Sequence, residues 1–191
     1  MNIPNSLTLL RIAFIPIFVV VFYMDIRWSN IAATAIFSFA AITDLMDGYL
    51  ARRLGQTSRL GAFLDPVADK LMVAVVLVLL VQDHPTIMLA LPAAVIIGRE
   101  ITVSALREWM AELGARKKVA VSYTGKIKTV AQMVALILLI YREPLAGLPI
   151  YEIGMVSLYI AALLTLWSMC QYLYLAWPEL TDRRNMRNGY D

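Results

Sequence analysis

The sequence predicts an all-α integral membrane protein with six transmembrane helices and both termini in the cytoplasm. Three observations carry that prediction. Of the 191 residues, 60% are hydrophobic and only 16% charged, with a mean hydropathy of +0.69, whereas an ordinary soluble domain is roughly 45–50% apolar. Turn-like breaks divide the apolar sequence into segments of spanning length. The basic residues between those segments alternate from side to side.

A spanning helix takes about 20 mainly apolar residues, and Ile153 to Pro178 is the one uncharged run longer than that. The other runs reach spanning length when flanking charged residues enter the helix. The first, Ile12 to Met24, gives a span over 7–24; "NIPNSLTLLR" before it holds Pro4 and Asn5 as a helix-start signal and is expected to lie along the interface over about 1–10. The second, Trp28 to Thr43, extends through "DLMDGYLAR" to give 30–54. The third, Leu71 to Gln82, takes in the preceding aspartates, spans 61–81 and stops at "DHPT". The fourth, His84 to Gly98, continues to 86–112 before "ELGARKK", and the fifth, Thr129 to Tyr141, spans 123–141 before "REPLAGLP". The sixth covers 152–177, leaving a polar tail over about 179–191.

Arg52, Arg53, Arg59, Arg116, Lys117, Lys118, Arg183, Arg184 and Arg187 fall on one side, and the opposite loops hold only Arg27 and Arg142. Nine against two orients the chain, since cytoplasmic loops collect Lys and Arg. Charges inside the spans lie toward the same side: Arg11, Asp44, Asp47, Asp65, Asp69, Lys70, Arg99, Glu100, Arg107, Glu108, Lys126 and Lys128. They are placed to line one cavity open to the cytoplasm. The first apolar run lacks a basic start and a small-residue cleavage site, so span one is expected to stay in the mature protein. With no repeat and no loop long enough for a soluble module, residues 1–191 read as a single membrane-embedded domain.

One cysteine, Cys170, and one histidine, His84, are too few for a thiolate or imidazole zinc site. Any metal would take oxygen ligands. The net charge of +3 follows from the topology, and no basic and aromatic groove pattern points to nucleic acid. His84 reads as a loop residue, Cys170 as a small core or lipid-facing side chain, and Trp167, Tyr172, Tyr174 and Trp177 as an interfacial belt and packing surface.

On span two, Asp44, Asp47, Gly48, Ala51 and Arg52 stand at i, i+3, i+4, i+7 and i+8, a single helical stripe. Span three repeats the device with Gly61, Asp65 and Asp69 at i, i+4 and i+8. A short loop makes the two spans antiparallel neighbours, so that four carboxylates converge. One charge at a helix centre costs roughly 2.5–3.5 kcal/mol on insertion scales, and clustered like charges repel each other. Positive charge is therefore expected between them. Hard oxygen ligands suit Mg²⁺, Mn²⁺ or Ca²⁺, and two such ions about 3.5–4 Å apart serve phosphoryl chemistry. Gly48, Ala51 and Gly61 clear bulk for a phosphorylated ligand, or else only let helices pack closely.

"DLMDGYLARRLGQTSRLGAFLDPVAD" matches D-x2-D-G-x2-A-R-x8-G-x3-D-x3-D, the signature of the CDP-alcohol phosphotransferase family, at every fixed position. "IPNSLTLLRI", "REITVSALREWMAELG" and "GKIKTVAQM" resemble the bacterial members that use glycerol 3-phosphate. The resemblance covers nearly the whole chain. It implies a six-helix inner-membrane enzyme of the CDP-alcohol phosphotransferase fold, commonly a homodimer among membrane lipids, with its active site facing the cytoplasm. It implies two divalent cations, Mg²⁺ or Mn²⁺, on Asp44, Asp47, Asp65 and Asp69, with Asp69 also the general base. Gly48, Ala51, Arg52 and Gly61 would border the CDP moiety of CDP-diacylglycerol. The implied reaction transfers the phosphatidyl group to sn-glycerol 3-phosphate and releases CMP.

The acceptor's dianionic phosphate calls for cations, and Arg107, Lys126 and Lys128 are the candidates, with Arg99 behind them. The bland alternative is that Arg99 with Glu100, or Lys128 alone, are helix-end charges snorkelling to water. Two rival functions stand beside this one. A different acceptor within the family, inositol phosphate or phosphatidylglycerol, would keep the aspartates and change the cationic pocket. A cation transporter would need acidic residues through both halves of the bilayer, whereas these stop in one.

Overall fold

The computed structural model describes the backbone of residues 3–54, 59–113 and 123–181, and the side chains there except at 3–5, 7, 45–54, 59, 60, 62, 63, 65, 123–127 and 179–181. The described residues form six helices: α1 (Ile3–Tyr23), α2 (Ser29–Leu54), α3 (Arg59–Asp83), α4 (Ile87–Glu112), α5 (Tyr123–Tyr141) and α6 (Ile150–Thr181). Helix α1 runs from Ile3 to Tyr23 with Pro16 inside it. By length and composition, α4 over Ile87–Glu112 and α6 over Ile150–Pro178 are apolar enough to cross a membrane; Thr8–Tyr23 and Lys128–Tyr141 are shorter apolar stretches.

The helices pack as a closed ring in the order α1, α2, α5, α6, α4, α3, with α3 also touching α5 across the middle. Phe18 of α1, Phe37 of α2, Leu77 and Leu80 of α3, Ile96 of α4, Leu139 of α5 and Leu158 of α6 fill one apolar core. A methyl group added at Gly154 would lie 3.0 Å from Leu139 Cγ, so glycine is what lets α6 close against α5. The "REPLAGLP" break forms a tight turn with Arg142, Ala146 and Gly147 at positive φ. Arg142 binds Asp83 there, tying the ends of α5 and α3 together at the pole opposite the aspartate motif.

The expectation that spans two and three meet at their motif-bearing ends falls largely on residues outside those described. Among the described residues α2 and α3 do not pack along their lengths; α1 and α5 stand between them. Helix α1 brings Arg11 in beside Asp44. Large apolar side chains, among them Trp28, Ile87, Leu163 and Trp177, cover the outside, while Thr8, Arg11, Thr43, Arg99, Lys128, Gln132, Thr165 and Ser168 are buried.

Candidate active site

The α3–α5 contact divides the ring into two chambers, and the functional side chains sort between them. The first is bounded by α1, α2, α3 and α5. A narrow crevice there is lined by Arg11, Phe37, Ala40, Asp44, Asp69, Met72 and Met133. Asp44 and Asp69, one from each half of the motif, therefore face the same space. Arg11 is only 2% exposed, and its Nη1 lies 2.5 Å from Asp44 Oδ1. A buried guanidinium is tolerable because it is paired; removing one partner of such a pair typically costs about 3–5 kcal/mol.

The second chamber, between α3, α4, α5 and α6, is a cavity of about 260 Å³. It brings Asp69 together with Lys70, Arg99, Glu100, Arg107, Lys128 and Gln132. Four cations against two carboxylates leave a formal excess of two positive charges. The cations are not equivalent. Glu100 Oε1 accepts from Lys128 Nζ at 2.6 Å and from Arg99 Nη1 at 2.9 Å, while Arg99 Nη2 donates to Ser168 Oγ at 3.0 Å. The Arg99 guanidinium also lies 5.9 Å from the ring centre of Tyr172. Arg99 and Lys128 are thus held inside the protein, 7% and 4% exposed, rather than reaching out to water. Lys70 donates to Ser104 across the α3–α4 seam. Arg107 is exposed on the cavity wall with no ion-pair partner among the described residues.

An apolar groove of about 210 Å³ runs between α2 and α5 on the outside. Ser38, Ile42, Val130, Val134 and Ile137 line it, and Asp44 and Thr129 close its polar end. Thr129 also lines the cavity, and Met133 lines groove, crevice and cavity alike. Helix α5 is the wall common to all three.

Of the residues singled out in the sequence, Asp44 and Asp69 share the crevice, and Arg99, Arg107 and Lys128 share the cavity with Asp69. Gly61 is buried. The side chains of Asp47, Gly48, Ala51, Arg52, Asp65 and Lys126 lie outside the described residues. No group of three or more His, Cys, Asp or Glu side chains gathers among the described residues. The two described carboxylates nevertheless offer a divalent cation the hard oxygen donors it prefers. Arg11 stood among the motif-side charges with no role, since a lone arginine in an apolar helix is equally compatible with snorkelling. Gln132 and Tyr172 were missed as cavity residues. The available signal for Gln132 was its place one turn from Lys128 on the same face of α5.

Residues 1–167 match the family model described as CDP-alcohol phosphatidyltransferase. A CDP-diacylglycerol–glycerol-3-phosphate 3-phosphatidyltransferase of Pseudomonas fluorescens is 59% identical over 186 residues, covering 96% of this chain and 95% of that protein. Proteins of the same name from Escherichia coli K12 and Shigella flexneri are each 53% identical over 182 residues, covering 95% of this chain and 98% of theirs. An aspartate crevice on a six-helix ring, the full eight-residue signature and near-complete coverage by these relatives agree: the chain belongs to the CDP-alcohol phosphatidyltransferase family.

Proposed function

We propose that this protein transfers the phosphatidyl group of CDP-diacylglycerol to sn-glycerol 3-phosphate, yielding phosphatidylglycerol phosphate and CMP. The carrying observation is the cavity beside Asp69, whose formal excess of two positive charges matches a dianionic phosphate. The names of the relatives, at 53–59% identity over almost the whole chain, support the same donor and acceptor. The apolar exterior and buried polar side chains support six spans in the inner membrane. The basic-residue bias supports cytoplasmic termini, a site open to the cytoplasm and cytosolic access for the acceptor. The homodimer and the interfacial start of α1 belong to this reading.

Each substrate has its own approach. The donor's pyrophosphate belongs at the aspartates, so its acyl chains must leave that point toward lipid. The α2–α5 groove, which ends at Asp44, is suited to hold one of them. Gly48, Ala51, Arg52 and Gly61 would border the cytidine diphosphate, with Arg52 forking onto phosphate oxygens. Asp44, Asp47, Asp65 and Asp69 would hold two divalent cations, Mg²⁺ or Mn²⁺. When bound, these neutralise the pyrophosphate and stabilise CMP as it departs. Arg107, Lys126 and Lys128 hold the acceptor's phosphate. Arg99, its guanidinium engaged by Glu100 and Ser168, braces the wall behind them. Asp69 lines both crevice and cavity, so its carboxylate can accept the proton of the acceptor's 1-hydroxyl while that oxygen turns toward the phosphorus.

CMP release by the purified full chain tests this. Release from CDP-diacylglycerol should depend on glycerol 3-phosphate and on a divalent cation. Release that is indifferent to glycerol 3-phosphate, or faster with inositol phosphate or phosphatidylglycerol, would reassign the acceptor.

A further inference from the structure

Gln132 is 4% exposed on the cavity face of α5, and among the described residues its Oε1 is buried without a hydrogen-bond partner. Buried amides are nearly always satisfied, and an orphan calls for a partner that arrives later. Its surroundings say which kind. Lys128 lies one turn away, about 6 Å along the axis toward the motif-bearing end of the bundle. Met133, its neighbour in the chain, lines the crevice of Asp44 and Asp69. Gln132 thus lines the same cavity as the carboxylate proposed to take the accepting hydroxyl, one turn along α5 from Lys128, one of the cations proposed to take the phosphate. Glycerol 3-phosphate carries three polar groups. The phosphate accepts from cations, the 1-hydroxyl donates to Asp69, and the 2-hydroxyl is left needing an acceptor.

We propose that Gln132 is a specificity-determining residue whose Oε1 accepts a hydrogen bond from the 2-hydroxyl of the glycerol acceptor. The assignment rests on the phosphatidyltransferase reading above and deepens it. It makes the cavity a reader of the whole acceptor, with cations at one end and a neutral acceptor atom in the middle. A carboxylate in its place would repel the phosphate, which gives a physical reason for an amide.

The test pairs a deletion in the protein with the same deletion in the substrate. CMP release by the full chain is measured with glycerol 3-phosphate and with 3-hydroxypropyl phosphate, which has the same phosphate and primary hydroxyl but no 2-hydroxyl. The wild-type enzyme should prefer glycerol 3-phosphate in kcat/KM by about 5- to 150-fold, the cost of leaving a buried acceptor unmet. Gln132→Leu and the near-isosteric Gln132→Met should lose most of that preference, and kcat/KM for 3-hydroxypropyl phosphate should stay within a few-fold of wild type. A residue that only packs would lower both acceptors equally. Equal use of the two acceptors by the wild type, a measurement independent of whether the variants fold, overturns the proposal. So does an undiminished preference in either variant. Absence of CMP release with glycerol 3-phosphate in the wild type would instead overturn the phosphatidyltransferase reading, and this assignment with it.

Discussion

Arg107→Gln is the perturbation that best separates recognition of the acceptor from support of the fold. Arg99 and Lys128 share Glu100, so removing either leaves a buried group with an altered partner. Arg107 lines the same cavity, is exposed and has no ion-pair partner among the described residues. Its replacement should therefore leave the thermal midpoint of the protein within about 1–2 °C, as surface substitutions within about 0.5 kcal/mol do. A charge-assisted contact to the phosphate contributes about 1.5–3 kcal/mol. Exposure to solvent puts Arg107 at the low end of that range, which corresponds to a rise of about tenfold in KM for glycerol 3-phosphate. The effect should shrink as salt is raised, because an exposed charge is screened. CMP release titrated against each substrate in turn reads it directly. KM for CDP-diacylglycerol should hardly move, since the proposed donor site lies on the α2 side of the crevice. Equal increases in both KM values, or none in either, would refute the assignment of this cavity to the acceptor.

The remaining predictions concern the metal site, the lipid side and the topology. Asn in place of Asp44, Asp47, Asp65 or Asp69 should lower kcat at least about 100-fold, with the protein still inserted; full activity in EDTA, or in Asp69→Asn, would sink the two-metal reading. Val130→Trp, which fills the α2–α5 groove, should lower kcat/KM about tenfold for dioleoyl CDP-diacylglycerol and far less for a dihexanoyl donor, because tails leaving lipid gain position more than affinity; equal losses on both donors would remove the groove from the mechanism. In a Cys170→Ser background, cysteines at Gln56 and Arg116 should react only with reagent on the cytoplasmic face and one at Thr86 only from outside, and labelling of the first two from outside would reverse the orientation.

Much of this was legible in the sequence because charge in an apolar chain is expensive and therefore placed with purpose. The breaks at "DHPT", "ELGARKK" and "REPLAGLP" set spans of 61–81, 86–112 and 123–141, and the helices are Arg59–Asp83, Ile87–Glu112 and Tyr123–Tyr141. Of the aspartates at i, i+3 and i, i+4 spacing, Asp44 and Asp69 line the crevice, and the side chains of Asp47 and Asp65 lie outside the described residues. The order of helices around the ring was hidden. Inside and outside are both apolar, so leucine and valine give no sign of which face meets a neighbour. Only a polar residue reports direction, and Arg11 on α1 was the one that would have put α1 between α2 and α3.

The crossing of α3 and α5 gives the two chambers a chemical logic. A phosphatidyl transfer joins a donor confined to lipid with an acceptor dissolved in water, and the two must meet without sharing an entrance. On one side of the crossing lies a crevice continued by an apolar groove; on the other lies a cavity with an excess of cations. Among the described residues, Asp69 and Met133 are the two that line both crevice and cavity. A base placed wholly in the cavity would deprotonate the acceptor out of reach of the phosphorus. One placed wholly in the crevice would lie too far from the cations that orient the acceptor. The helix crossing exposes one carboxylate, that of Asp69, to both sides, as the proposed base requires, and the apolar Met133 also lines both. Substitution of Met133 by a smaller residue is consequently less innocuous than its chemistry suggests, because it widens the passage between cavity and crevice.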